Sequence, residues 1–578
     1  MTQDSEAFVF LPSPRKFELC GHESSIPADY CLKLEPTRAQ LGRLPEIIQL
    51  DRSNFLSHRG SYRINVENDR IVISASSDYG WHYGLRTLKQ LAQSSGAQLP
   101  QCKIEDYPDF ENRGVMLDIS RNKVPTLKTL YELIDHLAEW KINELQLYIE
   151  HAFAFKGHHE VWKDASPLTP EDIRSLDTYC QERFIELVPN LNCFGHMTRW
   201  LIHDRYRPLA EQPDGGPTDL DYREQPQGLC ATDPRSIVLA EDIIKQMISH
   251  FDSDRVNVGC DETIDLGYGR SKQTVEAKGR GVVYLDYLKK IHHICKSNGK
   301  SMQFWADIIV KYPDLIDQIP DDCVALDWGY AAIHPFEKET ALLNSSGVAY
   351  YVCPGTSSWN SIGGRTENMT LNIQSAAASG KTNGAIGFMV TDWGDNGHLQ
   401  PLLSSFPGLA LGAASAWHVE DTFPLDQALD RFVFKAPGWG QLLLDTGNLD
   451  RLFNTYIHNN SILYKLLQDN ASDLKARDDI NIDKLIETLK LADRYTDRLE
   501  TLSKTSPTDP LLGSEFNWVI GMLRHACLRG LAIFGHAQPE LSKNAVTLIA
   551  AHKQIWDLRN RPGGYLETRQ YLDIIDSQ

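Results

Sequence analysis

The chain has 578 residues and a mass of 65.4 kDa, enough for several domains at about 100 to 200 residues each, or for one large barrel with attachments. With 42% hydrophobic and 23% charged residues it is neither a disordered nor a collagen-like chain. Its 58 Lys and Arg against 77 Asp and Glu leave a formal charge of −19, which disfavours nucleic acid and anionic membrane surfaces as partners.

The opening MTQDSEAFVFLPSPRK has early acidic residues and no basic stretch leading into a long apolar run, so it does not read as a secretory leader. No segment approaches the length of a membrane span. The 11 cysteines are odd in number and contain no CxxC pair, a pattern expected of reduced thiols in a cytoplasmic protein. Residues 1–108 mix alternating stretches, Tyr62 to Val66 and Ile71 to Ala75, with a helical face over Leu85, Leu88 and Leu91, which predicts a small α+β domain. A proline-interrupted polar segment, Asp106 to Asp109, marks its end.

From residue 109 to about 416 the pattern alternates strand, loop and helix. Eight strand-like runs stand out: Gly114–Ile119, Glu144–Ile149, Ile185–Leu191, Arg255–Val258, Ser301–Trp305, Val324–Trp328, Val348–Val352 and Ala385–Val390. One intervening helix, starting near Thr126, places Leu127, Leu130, Ile134 and Leu137 on one face. The repeat predicts an α/β fold, a (β/α)₈ barrel of the TIM type, with its site at the C-terminal strand ends. Residues 417–578 read as a turn-rich stretch through Gly447 followed by helices around Ile482, Leu485, Ile486 and Leu489 and over Ala545 to Leu558, a helical C-terminal domain.

At the fourth strand end Val258-Gly259-Cys260 is followed by two carboxylates, Asp261 and Glu262. Neighbouring acids repel, so partial burial raises the proton affinity of at least one of them and suits it to general-acid work. The dipeptide alone is more often a solvated turn or a helix start. Tryptophans strengthen the case: Trp305, Trp328 and Trp393 fall at or just after the ends of strands five, six and eight, and Trp359 lies in the loop after strand seven. Each could be core, but four at one rim, with Asp395 two residues after Trp393, suit the apolar face and the hydroxyls of a sugar.

These residues carry a resemblance. The run Arg113-Gly114-Val115-Met116-Leu117-Asp118-Ile119-Ser120-Arg121, then Lys141-Ile142-Asn143, Pro189 with Gly195-His196, and Asp261-Glu262 resemble the family 20 glycoside hydrolases, the β-N-acetylhexosaminidases, in their bacterial exo-acting branch. Tyr83-Gly84-Leu85-Arg86-Thr87-Leu88 resembles that family's accessory domain, so the likeness spans roughly residues 60 to 400. The resemblance implies a retaining, substrate-assisted mechanism in which the 2-acetamido oxygen attacks the anomeric carbon. Glu262 would then be the acid and base, and Asp261 would accept the acetamido N–H and stabilise the oxazolinium intermediate. It further implies that Arg113 holds the 3- and 4-hydroxyls, that Asp395 holds the 4- or 6-hydroxyl, and that Trp305, Trp328 and Trp393 line the pocket. No cofactor or metal is implied. The expected partner is a terminal N-acetylhexosamine of an oligosaccharide or glycoconjugate, and a homodimer is compatible with the family.

The chain also departs from the family pattern. Where many members have a His-x-x-Asp-Asp segment, it reads Tyr148-Ile149-Glu150-His151-Ala152-Phe153, which leaves Glu150 to supply the supporting carboxylate. The tyrosine that donates to the acetamido carbonyl has no obvious counterpart, and Tyr351, Trp359 or Asn360 could serve. His196 could orient a carboxylate or be a satisfied structural group. His158-His159-Glu160 and His292-His293 lack the HExxH spacing of a metal helix, and Gly267 to Lys272 lacks the spacing of a phosphate loop and reads as a site-side loop. Two rival functions remain: a two-carboxylate β-glycosidase using Asp307 or Asp327, and a carbohydrate-binding protein without turnover.

Overall fold

The computed structural model describes residues 8–53 and 58–576; residues 1–7, on which the leader reading partly rests, lie outside them. A five-stranded sheet comes first: β1 (Lys16–Pro27), β2 (Ile48–Arg52), β3 (Tyr62–Val66), β4 (Ile71–Ala75) and β5 (Gln98–Asp106), in the order β1-β5-β3-β4-β2. The two alternating runs form the β3–β4 antiparallel pair, Tyr62 opposite Ala75 and Val66 opposite Ile71. Their alternate residues are buried, as are Leu85, Leu88 and Leu91 of the helix Asp78–Ser94. Period two on the strands and period 3.6 on the helix thus close one core.

The eight predicted barrel strands are β6 (Asn112–Asp118), β7 (Glu144–Ile149), β8 (Glu186–Leu191), β11 (Arg255–Asn257), β12 (Ser301–Trp305), β13 (Val324–Trp328), β14 (Ala349–Cys353) and β15 (Gly387–Asp392). A two-residue ribbon, β9 (Gly216–Pro217) with β10 (Tyr222–Arg223), sits on the excursion between β8 and β11. The barrel closes in the order β11-β12-β13-β14-β15-β6-β7-β8, and neighbouring strands are parallel throughout. All six residues of β7 are buried, Glu144 and Gln146 included, as expected of a parallel strand covered on both faces. The helix Leu127–Glu139 is capped by the Thr126 side chain and buries Leu130, Leu133, Ile134 and Leu137.

The barrel encloses its own aromatic cluster, with Met116, Tyr148, Trp305, Leu326, Tyr351 and Trp393 among its members, separate from the larger core between strands and helices. Beyond the barrel, the stretch read as turns contains helical structure: Leu425–Ala428 runs into a π-helical segment, Leu429–Phe434, and Trp439–Thr446 follows. Leu429, Phe432, Val433, Trp439, Leu442 and Leu443 are buried there, so burial of apolar residues at helical spacing outweighs the glycines and prolines between them. The helices Pro510–Ile533 and Leu541–Arg559 then reach the barrel domain, and Ile482–Thr505 packs on Pro510–Ile533. Thr129 donates its hydroxyl to the Arg559 carbonyl at 2.7 Å, and Arg559 pairs with the fully buried Glu515 at 2.9 Å. Among the described residues no helix is long and apolar enough to cross a membrane.

Candidate active site

After β11 the chain takes a strained turn: φ is 67° at Gly259, 68° at Cys260 and 45° at Glu262. On a regular strand, neighbouring side chains point to opposite faces. Left-handed backbone at Cys260 and Glu262 breaks that alternation and sends both carboxylates into one chamber, a conformation that persists only where its surroundings hold it. Four contacts hold it. Asn257 Oδ1 accepts the Gly259 N–H at 3.0 Å, Asn192 Oδ1 the Cys260 N–H at 3.3 Å, and Asp307 Oδ2 the Glu262 N–H at 3.1 Å, while Tyr284 donates to the Cys260 carbonyl at 3.0 Å. A Cβ at Gly195 would stand 2.3 Å from the Asp261 carbonyl oxygen, so only glycine lets the loop after β8 meet this turn.

His196 bridges the two acids, its Nε2 lying 3.3 Å from Asp261 Oδ2 and 3.3 Å from Glu262 Oε2, with Nδ1 3.8 Å from Glu150 Oε1. Burial disfavours the imidazolium, but the two anions outweigh it and raise the His196 pKa well above its ordinary value. Burial pushes both carboxyls up; the charge and hydrogen bonding of His196 nevertheless carry Asp261 and Glu262 below the ordinary carboxylate value. Asn192 Nδ2 adds a 3.0 Å hydrogen bond to Asp261. The side chains differ in access: Asp261 is 6% exposed and Glu262 41%.

Beside this pair, Arg121 lies 2.9 Å from Glu150, 3.7 Å from Asp118 and 4.0 Å from Asp395, and its guanidinium stands over the rings of Tyr148 and Trp393. Tyr148 donates to Glu150 at 2.9 Å, so Glu150 supports both Arg121 and His196. An aromatic box completes the chamber. Trp393 donates its Nε1–H to the Tyr330 hydroxyl at 2.7 Å, Tyr330 stacks on Trp328 at 5.0 Å, and Trp359 meets Tyr330 edge-on at 5.1 Å. Trp305 packs 6.2 Å from Trp393. The structure therefore brings Asp261, Glu262, His196, Glu150, Asp395, Trp305, Trp328, Trp359 and Trp393 together.

Two expected site residues lie elsewhere. Arg113 is the second residue of β6, at the N-terminal end of the barrel, where it donates to the carbonyls of Lys141, Phe110 and Glu111 and to the Tyr83 hydroxyl at 2.8 to 2.9 Å. It ties the barrel floor to the preceding domain and cannot hold a sugar at the mouth. Tyr351 sits mid-strand in β14 with its hydroxyl on Glu144 and Arg255, the first residues of β7 and β11, and so also faces the floor. Asn360 is engaged between loops, donating to the Asn459 carbonyl and accepting from Asn396, each at 3.1 Å. Asp327 leaves the chamber too: Val324 and Leu326 fill the barrel interior, and Asp327, one position out of phase, pairs with Glu339 behind the wall.

His158 is satisfied by Tyr206 and Asp242, and His292 by Asp322. Among the described residues, two groups bring potential metal-ligating atoms within 4.8 Å of one another, His292–Asp322–Cys323 and Asp327–His334–Glu339, and neither shares a residue with the cluster around Glu262. The backbone N–H groups of Gly267, Gly269 and Ser271, which a phosphate would use, are taken by the Glu211 carboxylate at 3.0 to 3.3 Å.

Arg121, Asp118, Asn192 and Tyr330 are the residues that the sequence reading left unassigned. Arg121 ends the same motif as Arg113, and the rule that barrel sites lie at C-terminal strand ends favours the last arginine over the first. Tyr330 follows Trp328 by two residues at the end of β13, a position the same rule marks.

Residues 110–395 match the glycosyl hydrolase family 20 catalytic domain and residues 23–107 that family's domain 2. The β-hexosaminidase of Vibrio furnissii is 23% identical over 387 residues, covering 56% of this chain and 60% of that protein; the β-hexosaminidase of Emericella nidulans is 24% identical over 310 residues, covering 46% and 49%. The chain thus spans between about half and three fifths of the length of these relatives. Among solved structures, the chitobiase of Flavobacterium johnsoniae superposes with a TM-score of 0.61 at 16% identity, covering 96% of this chain and all of that one. The exo-β-N-acetylglucosaminidase of Vibrio harveyi in complex with N-acetylglucosamine does so at 0.59 and 17%, covering 76% and 78%. These likenesses carry the fold, and the two domain matches, adjacent and in order, carry the family: the chain belongs to glycosyl hydrolase family 20.

Proposed function

We propose that the chain is a retaining exo-β-N-acetylhexosaminidase that removes terminal N-acetylglucosamine or N-acetylgalactosamine from oligosaccharides or glycoconjugates by substrate-assisted hydrolysis. The observation that carries this reading is the unequal pair bridged by His196: Asp261 buried and held as an anion, Glu262 facing the open chamber. A buried anion suits the acetamido N–H and the positive charge that grows on the oxazolinium ring. The exposed carboxyl suits the bond to the leaving group. In the first half-reaction the acetamido oxygen bonds to the anomeric carbon as the glycosidic C–O bond breaks, and Glu262 gives its proton to the departing oxygen. In the second, water attacks that carbon, Glu262 takes the water's proton, and the ring opens to the acetamide.

Arg121 and Asp395 flank the sugar's hydroxyl side. Tyr330, whose hydroxyl accepts from Trp393, serves the acetamido carbonyl. Trp328, partly exposed, and Trp393, 8% exposed, offer aromatic surface to one terminal ring, with Trp305 and Trp359 buried behind them. The two-carboxylate rival needs an ionised nucleophile. Asp307, its remaining candidate, is pushed above the usual carboxylate range by burial and by the charges of Asp261 and Glu262, which favours its neutral form, a poor nucleophile. All 11 cysteines are unpaired, in keeping with a cytoplasmic setting.

Glu262→Gln should cut turnover of N-acetylglucosaminides with poor leaving groups by about 10² to 10⁴-fold and spare activated aryl glycosides, which need less protonation. Replacing the substrate's acetamide by a hydroxyl should abolish activity; efficient hydrolysis of the plain glucoside would refute substrate assistance.

A further inference from the structure

The segment that carries Trp328 and Tyr330 into the chamber is bounded, behind the barrel wall, by three side chains of metal-binding type. Asp327 is the next-to-last residue of β13, His334 closes the loop that follows, and Glu339 is the fourth residue of the helix Phe336–Ser345. Each offers one potential ligand atom within 4.8 Å of the other two, and His334 Nε2 stands 3.0 Å from Glu339 Oε2. The ligands of a tetrahedral ion with bonds of about 2.0 to 2.2 Å stand about 3.4 Å apart. The His334–Glu339 edge is already near that length, and a movement of about 1 Å would bring in the third corner.

The polar atoms here are short of partners. Asp327 is 2% exposed and its Oδ2 is buried without a hydrogen bond; His334 Nε2, close as it is to Glu339, is also buried and makes none. Among the described residues no Lys or Arg forms an ion pair with either carboxylate, and the imidazole is the one cationic group in contact with Glu339. Buried carboxylates are ordinarily paired or bound to a metal, and two acids against one imidazole leave negative charge that a divalent cation balances. The loop is shaped around the ring: a Cβ on Gly329 would stand 2.2 Å from the His334 imidazole, so only glycine lets it lie there. The His334 and Glu339 side chains are 19% and 23% exposed, which gives an ion a way in and a water a place as fourth ligand, with Asp327 as the closed base.

One ring nitrogen and two carboxylates suit Zn²⁺, whereas Ca²⁺ and Mg²⁺ call for six or more oxygen ligands. The other group with ligand atoms in reach, His292–Asp322–Cys323, is already satisfied: Asp322, 44% exposed, hydrogen-bonds His292 at 2.7 Å and pairs with Lys296 at 3.1 Å. We propose that Asp327, His334 and Glu339 form a Zn²⁺ site, with a water as fourth ligand, that ties the end of β13 to the helix after it and pins the Trp328–Tyr330 loop between those anchors. The ion stands behind the aromatic wall and takes no part in proton transfer. The site rests on these three side chains and not on which glycoside the chamber takes.

The test uses the full chain, freed of metal by a chelator and then by gel filtration, with Zn²⁺ alone as the probe. Calorimetric titration should find one tightly bound ion per chain. Zn²⁺ at about 100 times its dissociation constant should raise the unfolding midpoint by roughly 2 to 5 °C. His334→Ala and Glu339→Gln, both at partly exposed positions, should each weaken binding by about 100-fold or more and remove the thermal shift, while His292→Ala should alter neither. Wild type without a tight ion, an ion that survives both substitutions, or one lost in His292→Ala overturns the site. Amide hydrogen exchange reads the tether directly: exchange across residues 328–335 should slow when Zn²⁺ binds, and exchange there that Zn²⁺ leaves unchanged would overturn the pinning of the loop.

Discussion

The two ends of the barrel use the same residue types to opposite purposes. At the N-terminal floor, Arg255 engages Glu144 at 2.7 Å together with Glu186 and Tyr351, and Gln146 and Ser253 satisfy further oxygens of those two carboxylates. Arg113 spends its donors on three carbonyls and a hydroxyl. At the C-terminal rim, carboxyls outnumber cations, Trp305 Nε1 and Asp307 Oδ1 are buried without partners, and Cys260 and Glu262 hold left-handed backbone. The floor carboxylates are matched by a cation and hydrogen bonds, whereas the rim carboxyls outnumber their cations. Deficits in charge and hydrogen bonding are what a substrate can fill, so the contrast separates the end that holds the barrel together from the end that reacts.

The sharpest way to break the contrast is at the floor. Arg255→Met leaves the fully buried Glu144 carboxylate without its cation and should cost about 3 to 5 kcal/mol of stability, read as a lower denaturation midpoint, with KM for an aryl N-acetylglucosaminide little changed in the protein that remains folded. A large KM change with unaltered stability would erase the distinction. A matched pair comes next. Arg121→Met removes the guanidinium that three rim carboxylates share and should lower kcat/KM about 100-fold, or about 3 kcal/mol. Arg113→Met should do the reverse, losing about 2 kcal/mol of stability and little activity, since its partners are carbonyls at the far end. Exchange of those two outcomes would restore Arg113 to the sugar.

That exchange of arginines marks where reading the sequence stops. All eight barrel strands were legible, because short buried strands spaced between amphipathic helices repeat eight times along the chain. Asp261 and Glu262 were legible because they follow such a strand. Arg113 and Arg121, eight residues apart in one motif, could be told apart only by asking which end of β6 each occupies, and motif resemblance carries no such direction. Tyr351 misled for a related reason. Strand seven offers two tyrosines, and the hydroxyl of the inward one reaches down to Glu144 rather than up to the mouth. The pairing of Asp307 with the Glu262 backbone joins residues 45 apart on neighbouring strands, and sequence spacing gives no sign of it.

The smallest effect tests whether the rim's excess charge destabilises the fold. Asp118 is buried and its carboxyl is pushed from 3.8 to about 6, chiefly by burial, with Arg121 and the Ser120 N–H pulling back. The folded state therefore binds this proton more tightly than the unfolded chain. The stability it contributes is fully present below about 3.8 and is lost as pH rises through about 6. Asp118→Asn cannot ionise and lacks that loss, though the amide is a weaker partner for the Ser120, Arg121 and Gly394 N–H groups that Asp118 now satisfies. Thermal unfolding of both proteins should show the stability of the variant relative to wild type rising by about 1 to 2 kcal/mol between mildly acidic and neutral pH. A constant difference across that range would mean that Arg121 already neutralises Asp118 in full. The rim would then carry one unmatched carboxyl fewer, and Glu150 and Asp395 would share the remaining deficit with the three acids gathered around the Glu262 turn.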